Sequence, residues 1–417
     1  MTLLQKLTPI LMPKVRSALP ALVAPALLLA ACTPAAQAPT SATAGQPTSA
    51  PAAGQPTSAP AAGQPTGAPA AAQPTNAPAA AQPTSAPAAG QPTSAPATAA
   101  KPADTMHIVF GGAVTPPNMV HLAPYVAKDM GFFDELGLDV EIKSFEGGVG
   151  ALRGGISGGL DVVATSSDPL FAAIQQGAPV KAIGTYAPKL SVVMMGAPDV
   201  KAPADLKGKR LGIQDVGGFN DVMSRLVLAQ AGISPNDVQF INVATANRVT
   251  SMAGGQTDAT VLHIDQYYTA LGVNPNFNVL ARMWEVVPDW WYSAFVATDD
   301  VRTQKREAMV RFMTGVIKAQ RFMYSNPVET KKVAADETKE KPEVIDKAYD
   351  DLSKGGIWSV NDGMPQKLID YTIGKEAEVG TIKPDNKPTY EQIVDKSIVE
   401  EAIKRNGGPM TGDPRWY

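Results

Sequence analysis

One cysteine and three histidines are all the thiol and imidazole chemistry in this 417-residue chain. A lone thiol excludes an internal disulfide framework. His107, His121 and His263 show no i, i+4 pairing, so no metal site is expected. Charge is also scarce. Charged residues make up 18% of the chain and the net charge is −3, which leaves no basic field for nucleic acid. No P-loop and no HExxH helix is present. The adjacent carboxylates Asp299-Asp300 and Asp350-Asp351 adjoin expected helices and read as solvated caps. None of this suggests an enzyme or a resident cofactor and none is expected, with a lipid-anchored enzyme or sensor as the less favoured alternative.

Long apolar runs are missing too. The most apolar stretch, Leu19 to Leu29, is interrupted by Pro20 and Pro25. Its length of about 11 residues falls short of the roughly 20 that span a bilayer as a helix, but it suits a signal-peptide core. Lys6, Lys14 and Arg16 precede it as a cationic region. Leu29-Ala30-Ala31-Cys32 follows, with the only cysteine at its end. This pattern resembles the bacterial lipobox. The resemblance implies cleavage after residue 31, diacylation of Cys32 and a lipidated new N-terminus on the extracytoplasmic side of a cell membrane. An ordinary signal peptide with an incidental thiol is the alternative. Two or more acyl chains hold firmly where one is marginal.

Residues 32–104 form the expected tether. Gln-Pro-Thr recurs with a period of nine from Gln46 through Gln55, Gln64, Gln73, Gln82 and Gln91. Nothing larger than Ala or Pro recurs to stack inward, so the repeat reads as a disordered spacer with polyproline II bias rather than a β-helix. Extended at about 3.1 Å per residue, it could reach on the order of 200 Å.

The globular region, residues 105–417, alternates strands and helices. Apolar runs at His107–Phe110, Leu138–Ile142, Leu160–Ala164, Val180–Ile183 and Val192–Met195 read as strands. Helical spacing falls at Val120–Met130, Val149–Ile156 and Pro169–Gln176. A second set follows, with strands at Leu211–Ile213, Val238–Val243, Ala259–Leu262 and Phe277–Leu280 and helices at Asp221–Ala231 and Val249–Ala253. Tyr292–Thr298 reads as a strand that leads back, before the helices Lys305–Tyr324, Pro327–Ala335, Pro342–Leu352 and Met364–Gly374. This order predicts an α/β fold with a mostly parallel sheet in each of two lobes. The glycines between Gly147 and Gly159 lack the spacing of a dinucleotide fingerprint.

Three segments carry a family resemblance: Leu122–Ile142 (LAPYVAKDMGFFDELGLDVEI), Gly158–Ile183 (GGLDVVATSSDPLFAAIQQGAPVKAI) and Asp205–Ile213 (DLKGKRLGI). Together they resemble the extracytoplasmic solute-binding proteins of ABC importers. The branch is the one that includes sulfonate, taurine and nitrate binders and the thiamine-pyrimidine and riboflavin binders. The resemblance implies a type II periplasmic-binding-protein fold, with two lobes joined by crossing strands. Lobe one would be about 105–196 and 290–417, and lobe two about 197–289. It also implies a monomer that serves an ABC permease and a cytoplasmic ATPase. Distant relatives that make the thiamine pyrimidine use a cysteine-rich segment, which is missing here.

In open α/β sheets ligands bind beyond the carboxyl ends of strands. That rule places Asn118, Thr165, Ser166 and Tyr186 of lobe one at the cleft, with Phe219, Asn220, Asp265 and Trp284 of lobe two. Trp290 lies near the second crossing. Ser166 has a plain alternative as a helix cap, and each Trp as core. The aromatic set suits a flat heterocycle, riboflavin first and the thiamine pyrimidine second. A sulfonate or nitrate would lean on N–H groups and a cation, and Arg248 is the basic residue of lobe two in a loop position. If stacking holds the ligand, Trp284→Ala and Trp290→Ala should each weaken binding in a fluorescence titration by more than about 1.4 kcal/mol, a tenfold change.

Overall fold

The computed structural model describes residues 104–415. The export segment, Cys32 and the repeat lie outside the described residues. No described helix is long and apolar enough to cross a membrane.

Four strands form lobe one before the chain first leaves it: β1 (Met106–Gly112), β2 (Leu138–Ser144), β3 (Val162–Ser166) and β4 (Val180–Gly184). Lobe two holds β5 (Val192–Gly196), β6 (Arg210–Ile213), β7 (Gln239–Asn242), β8 (Ala259–His263) and β9 (Asn278–Arg282). The chain then returns as β10 (Ser293–Thr298). The two sheets run β2-β1-β3-β10-β4 and β7-β6-β8-β5-β9. In each sheet the strand that follows a crossing is reversed. β5 is antiparallel to β8 and β9, and β10 is antiparallel to β3 and β4. Two lobes, two sheets and two crossings make this the type II periplasmic-binding-protein fold.

The pairing of β5 moves one boundary. Val192–Met195, expected in lobe one, pair with β8 and β9 of lobe two. The first crossing therefore lies in 185–191. All five β5 residues are buried, so the strand presents no polar face that would assign it to either sheet. β2, by contrast, alternates buried and exposed residues at its start and sits at a sheet edge.

Lobe one is sealed by the helix Arg306–Ser325. Its Phe312 ring stacks on Phe133 at 5.5 Å and meets Phe110 and Phe295 at 5.4 and 5.6 Å. Gly315 permits this approach, since a Cβ there would lie 2.6 Å from the Phe133 ring. The helix Lys396–Arg405 adds to the helices expected from the sequence. It buries Ile398, Val399, Ala402 and Ile403, a helical spacing that the sequence carries, behind an Asp395 cap. Just before it, Val394 bridges to Ala182 of β4 and Asp395 N–H donates to the Ala182 carbonyl at 2.9 Å. The C-terminal segment thus covers the edge of β4, which would otherwise offer unpaired backbone groups.

Two carboxyls are buried inside lobe one. Asp168 lies in the first turn of the helix Ser167–Gln175, and Glu376 lies on the helix Gln366–Glu378. All four of their oxygens are without a partner among the described residues. Burial pushes Asp168 up to about 7, and the Asp221 charge adds to the rise. Burial and then the Asp168 charge push Glu376 well above the usual carboxylate range. Such groups hold protons in the folded chain at pH values where the unfolded chain has lost them. Their contribution is present below about pH 4 and is lost as pH rises through about 7. Glu376→Gln should therefore raise stability at pH 8 by at least about 1 kcal/mol in urea denaturation, with a smaller gain at pH 4.

Candidate functional site

Between the lobes lies a small cavity of about 30 Å³. Lobe one supplies His121, Gly148, Ser166 and Tyr186, and lobe two supplies Gln214, Phe219, Asn220, Arg248 and His263. Tyr292, at the second crossing, closes it.

Three helix starts meet at this cavity. Gly147 caps Gly148–Ile156, Ser166 caps Ser167–Gln175 and Gly218 caps Phe219–Gln230, none with a side-chain capping bond. First-turn N–H groups of such helices are ready partners for an anion. Gly148 must be small here, because a Cβ would lie 2.7 Å from Thr165 Oγ1.

Arg248 dominates the electrostatics. It is 1% exposed and starts the helix Arg248–Ala253. Its Nη2 donates to Gln214 Oε1 at 3.0 Å and Thr245 Oγ1 at 3.1 Å, both neutral acceptors. Its Nε and Nη1 have no partner, and among the described residues no carboxylate forms an ion pair with it. Burial lowers it to about 10, partly offset by Tyr292, Asp215, Asp265 and Glu146, so it remains a cation at neutral pH.

Rings form the rest of the wall. Phe219 meets Tyr292 at 4.7 Å and stacks on His263 at 6.1 Å. His121 lies 4.8 Å from Tyr186. Burial, and then the Arg248 charge, push His121 down to about 3. His263 is likewise lowered by burial and then by His121 and Arg248. Both imidazoles are therefore neutral.

The lobes are also bonded to each other beside the cavity. Asp265 Oδ2 of lobe two accepts from Met119 N–H at 2.9 Å and from Asn118 Nδ2 at 3.4 Å, both in lobe one. Trp358 supports that turn by donating to the Met119 carbonyl at 3.1 Å. Farther along the helix Ile264–Val273, Tyr268 donates to Asp351 at 2.5 Å and Thr269 to Glu340 at 2.6 Å. Residues 265, 268 and 269 share one helical face, so one side of this helix holds lobe one.

Of the residues expected at the cleft, the cavity gathers Ser166, Tyr186, Phe219 and Asn220. Ser166 makes no capping bond. Asn220 Nδ2 is committed to the Val261 carbonyl at 2.8 Å. Thr165 packs beneath Gly148, and Asn118 and Asp265 face each other across the lobes. The two tryptophans stand elsewhere. Trp290 is 1% exposed, and its Nε1 has no partner among the described residues. Trp284 is 37% exposed and borders a separate groove of about 500 Å³ with Leu190, Ile264, Pro288, Leu352 and Ile357. His121 and Gln214 were not expected at the cavity, whereas His263 stands at a strand end expected to face the cleft and Tyr292 belongs to the aromatic cluster expected at the cleft or hinge. Gly155-Ile156-Ser157-Gly158-Gly159 spells G-x-S-x-G, yet Ser157 ends a helix and its Oγ donates to the Gly154 carbonyl at 3.0 Å, which is not the strand-to-helix elbow of a hydrolase.

A family described as NMT1/THI5 like matches residues 118–330. A putative binding protein of Brucella abortus is 27% identical over 211 residues, 50% of this chain and 65% of that protein. A formylaminopyrimidine-binding protein of Halalkalibacterium halodurans is 24% identical over 217 residues, 51% of this chain and 65% of that protein. The chain thus spans just under two-thirds of the length of these relatives. A periplasmic nitrate-binding protein from Synechocystis shares the fold at a TM-score of 0.58 and 17% identity, covering 72% of this chain and 89% of that one.

The interlobe bond at Asp265 can be tested directly. Asp265→Ala leaves the buried Met119 N–H unpaired and should cost about 1–3 kcal/mol in urea denaturation. Thr269→Val, at a partly buried site on the same face, should cost less.

Proposed function

The chain belongs to the NMT1/THI5-like family, and from that footing we propose that it is the solute-binding component of an ABC import system. It captures a small anionic solute between its lobes and presents it to a membrane permease driven by a cytoplasmic ATPase. Cys32, diacylated after export, holds it at the extracytoplasmic face of the cell membrane. The tether lets the monomeric domain move. The reading assigns it no catalysis.

Arg248 carries this reading. A buried cation with no counter-charge costs several kcal/mol, and an anion in the cavity offsets that cost. Two unpartnered guanidinium nitrogens, Nε and Nη1, and three helix starts supply the donors. A water needs about 10–15 Å³, so a cavity of about 30 Å³ suits a group of few atoms, such as nitrate or the head of a sulfonate or carboxylate.

A second reading, a small planar heterocycle, draws on the wall of Phe219, Tyr292 and His263 and on the relative named as a formylaminopyrimidine-binding protein. Riboflavin is less well supported, because it needs the lobes to stand farther apart and because Trp284 and Trp290 lie outside the cavity.

Trp284 borders residues of both lobes and offers a fluorescence reporter. Titration with nitrate, taurine, a thiamine-type aminopyrimidine and riboflavin is expected to saturate with an anion. Arg248→Gln should weaken that binding at least tenfold, about 1.4 kcal/mol. Saturation by a neutral heterocycle alone, equal in wild type and Arg248→Gln, would overturn the anion reading.

A further inference from the structure

The histidines of the cleft come from opposite lobes. His121 ends the short turn Met119–His121 of lobe one, and His263 ends β8 of lobe two. Their rings meet edge to face, with centroids 5.5 Å apart. They are 6% and 4% exposed, and neither Nδ1 has a partner. Among the described residues, no carboxylate pairs with either ring.

The charged and titratable groups around them are few. Arg248 shares the wall and carries the one fixed positive charge there. Tyr186 and Tyr292 contribute rings at 4.8 Å from His121 and 6.1 Å from His263, and burial raises both phenols, so both are neutral. The Asp265 carboxylate is committed to Met119, Asn118 and the Gln266 N–H. Asp215 lines the cavity without an ion pair to either histidine. Asp168 acts on the two tyrosines, and Glu146 acts on Arg248. An imidazolium formed here would thus be buried beside Arg248 and a second imidazole, with no acceptor waiting for it.

We propose that His121 and His263 form a proton-controlled closure contact: the lobes meet when both rings are neutral, and mild acid opens the cleft. The proposal rests on the reading that this cleft opens and closes around a solute, and it concerns the empty cleft, because a bound anion would give an imidazolium a counter-charge. When the lobes part, each ring is hydrated and returns to the ordinary imidazole value near 6.5. Its value in the closed form is lower, about 3 for His121. Closure is therefore favoured above about pH 6.5 and loses ground as pH falls below it, because each ring must shed a proton to close. At pH 5.5, one unit below the open-state value, each histidine costs about tenfold in the closing equilibrium, and the pair about a hundredfold.

The test reads closure without a ligand. In the full chain carrying Cys32→Ser, Ile156→Cys of lobe one and Val216→Cys of lobe two place spin labels on exposed residues of each lobe, both bordering one groove. The label distance should be short at pH 7.5 and shift to a longer population at pH 5.5. His121→Asn and His263→Asn, which cannot take up a proton, should each lose about half of that shift on a logarithmic scale. The double variant should lose nearly all of it. A distance distribution that does not change between pH 7.5 and 5.5, or the same shift in all three variants, overturns the proposal. Nitrate titrations at both pH values provide a separate readout. Failure of nitrate to bind bears on the anion reading, whereas the label distances bear on the proton-controlled contact.

Discussion

The Asp265 carboxylate, taken across the lobe boundary by the Met119 N–H, is the bond around which the cleft is arranged. It fixes the start of the helix Ile264–Val273 against lobe one, and Tyr268 and Thr269 extend the seam along the same face. Trp358 backs the other side by holding the Met119 carbonyl. With that turn fixed, His121 meets His263 and the cavity closes over Arg248. The lobes are thus joined by directed polar bonds at this seam, and these can be exchanged for water when the lobes part.

The cavity gathers donors and leaves one charge unanswered. Helix starts, guanidinium N–H groups and neutral imidazoles surround a space of about 30 Å³. Apolar rings exclude water around them and lower the local dielectric, which strengthens each interaction and raises the cost of an unpaired charge. The same burial that keeps both histidines neutral makes Arg248 a strong partner for an anion.

Much of the scaffold was legible in the chain. The apolar runs at β1, β3, β4 and β8 and the long helix Arg306–Ser325 follow from periodicity, which reports burial of one face or of both. Ser166, Tyr186, Phe219 and Asn220 were legible because ligands gather at strand ends. The placement of β5 was not, since a fully buried strand carries no mark of its sheet. His121 was not legible either. It falls within a stretch of helical spacing, and only the seam at Met119 turns it toward the other lobe. Trp284 and Trp290 were near the crossing in sequence, yet adjacency in the chain does not decide which way a side chain points.

The sequence by itself determined the fold class, through its alternating strands and helices, and the expectation of export and tethering, through its composition and its one cysteine. These are local properties, carried by period and residue type. The tertiary structure alone decided which groups share the cavity. His121, Tyr186, Arg248, His263 and Tyr292 are spread over the chain and meet only because two crossings bring the two lobes together. Arg248 in a loop is an ordinary surface cation until the fold removes its water and gives it no carboxylate, and no local pattern records that loss.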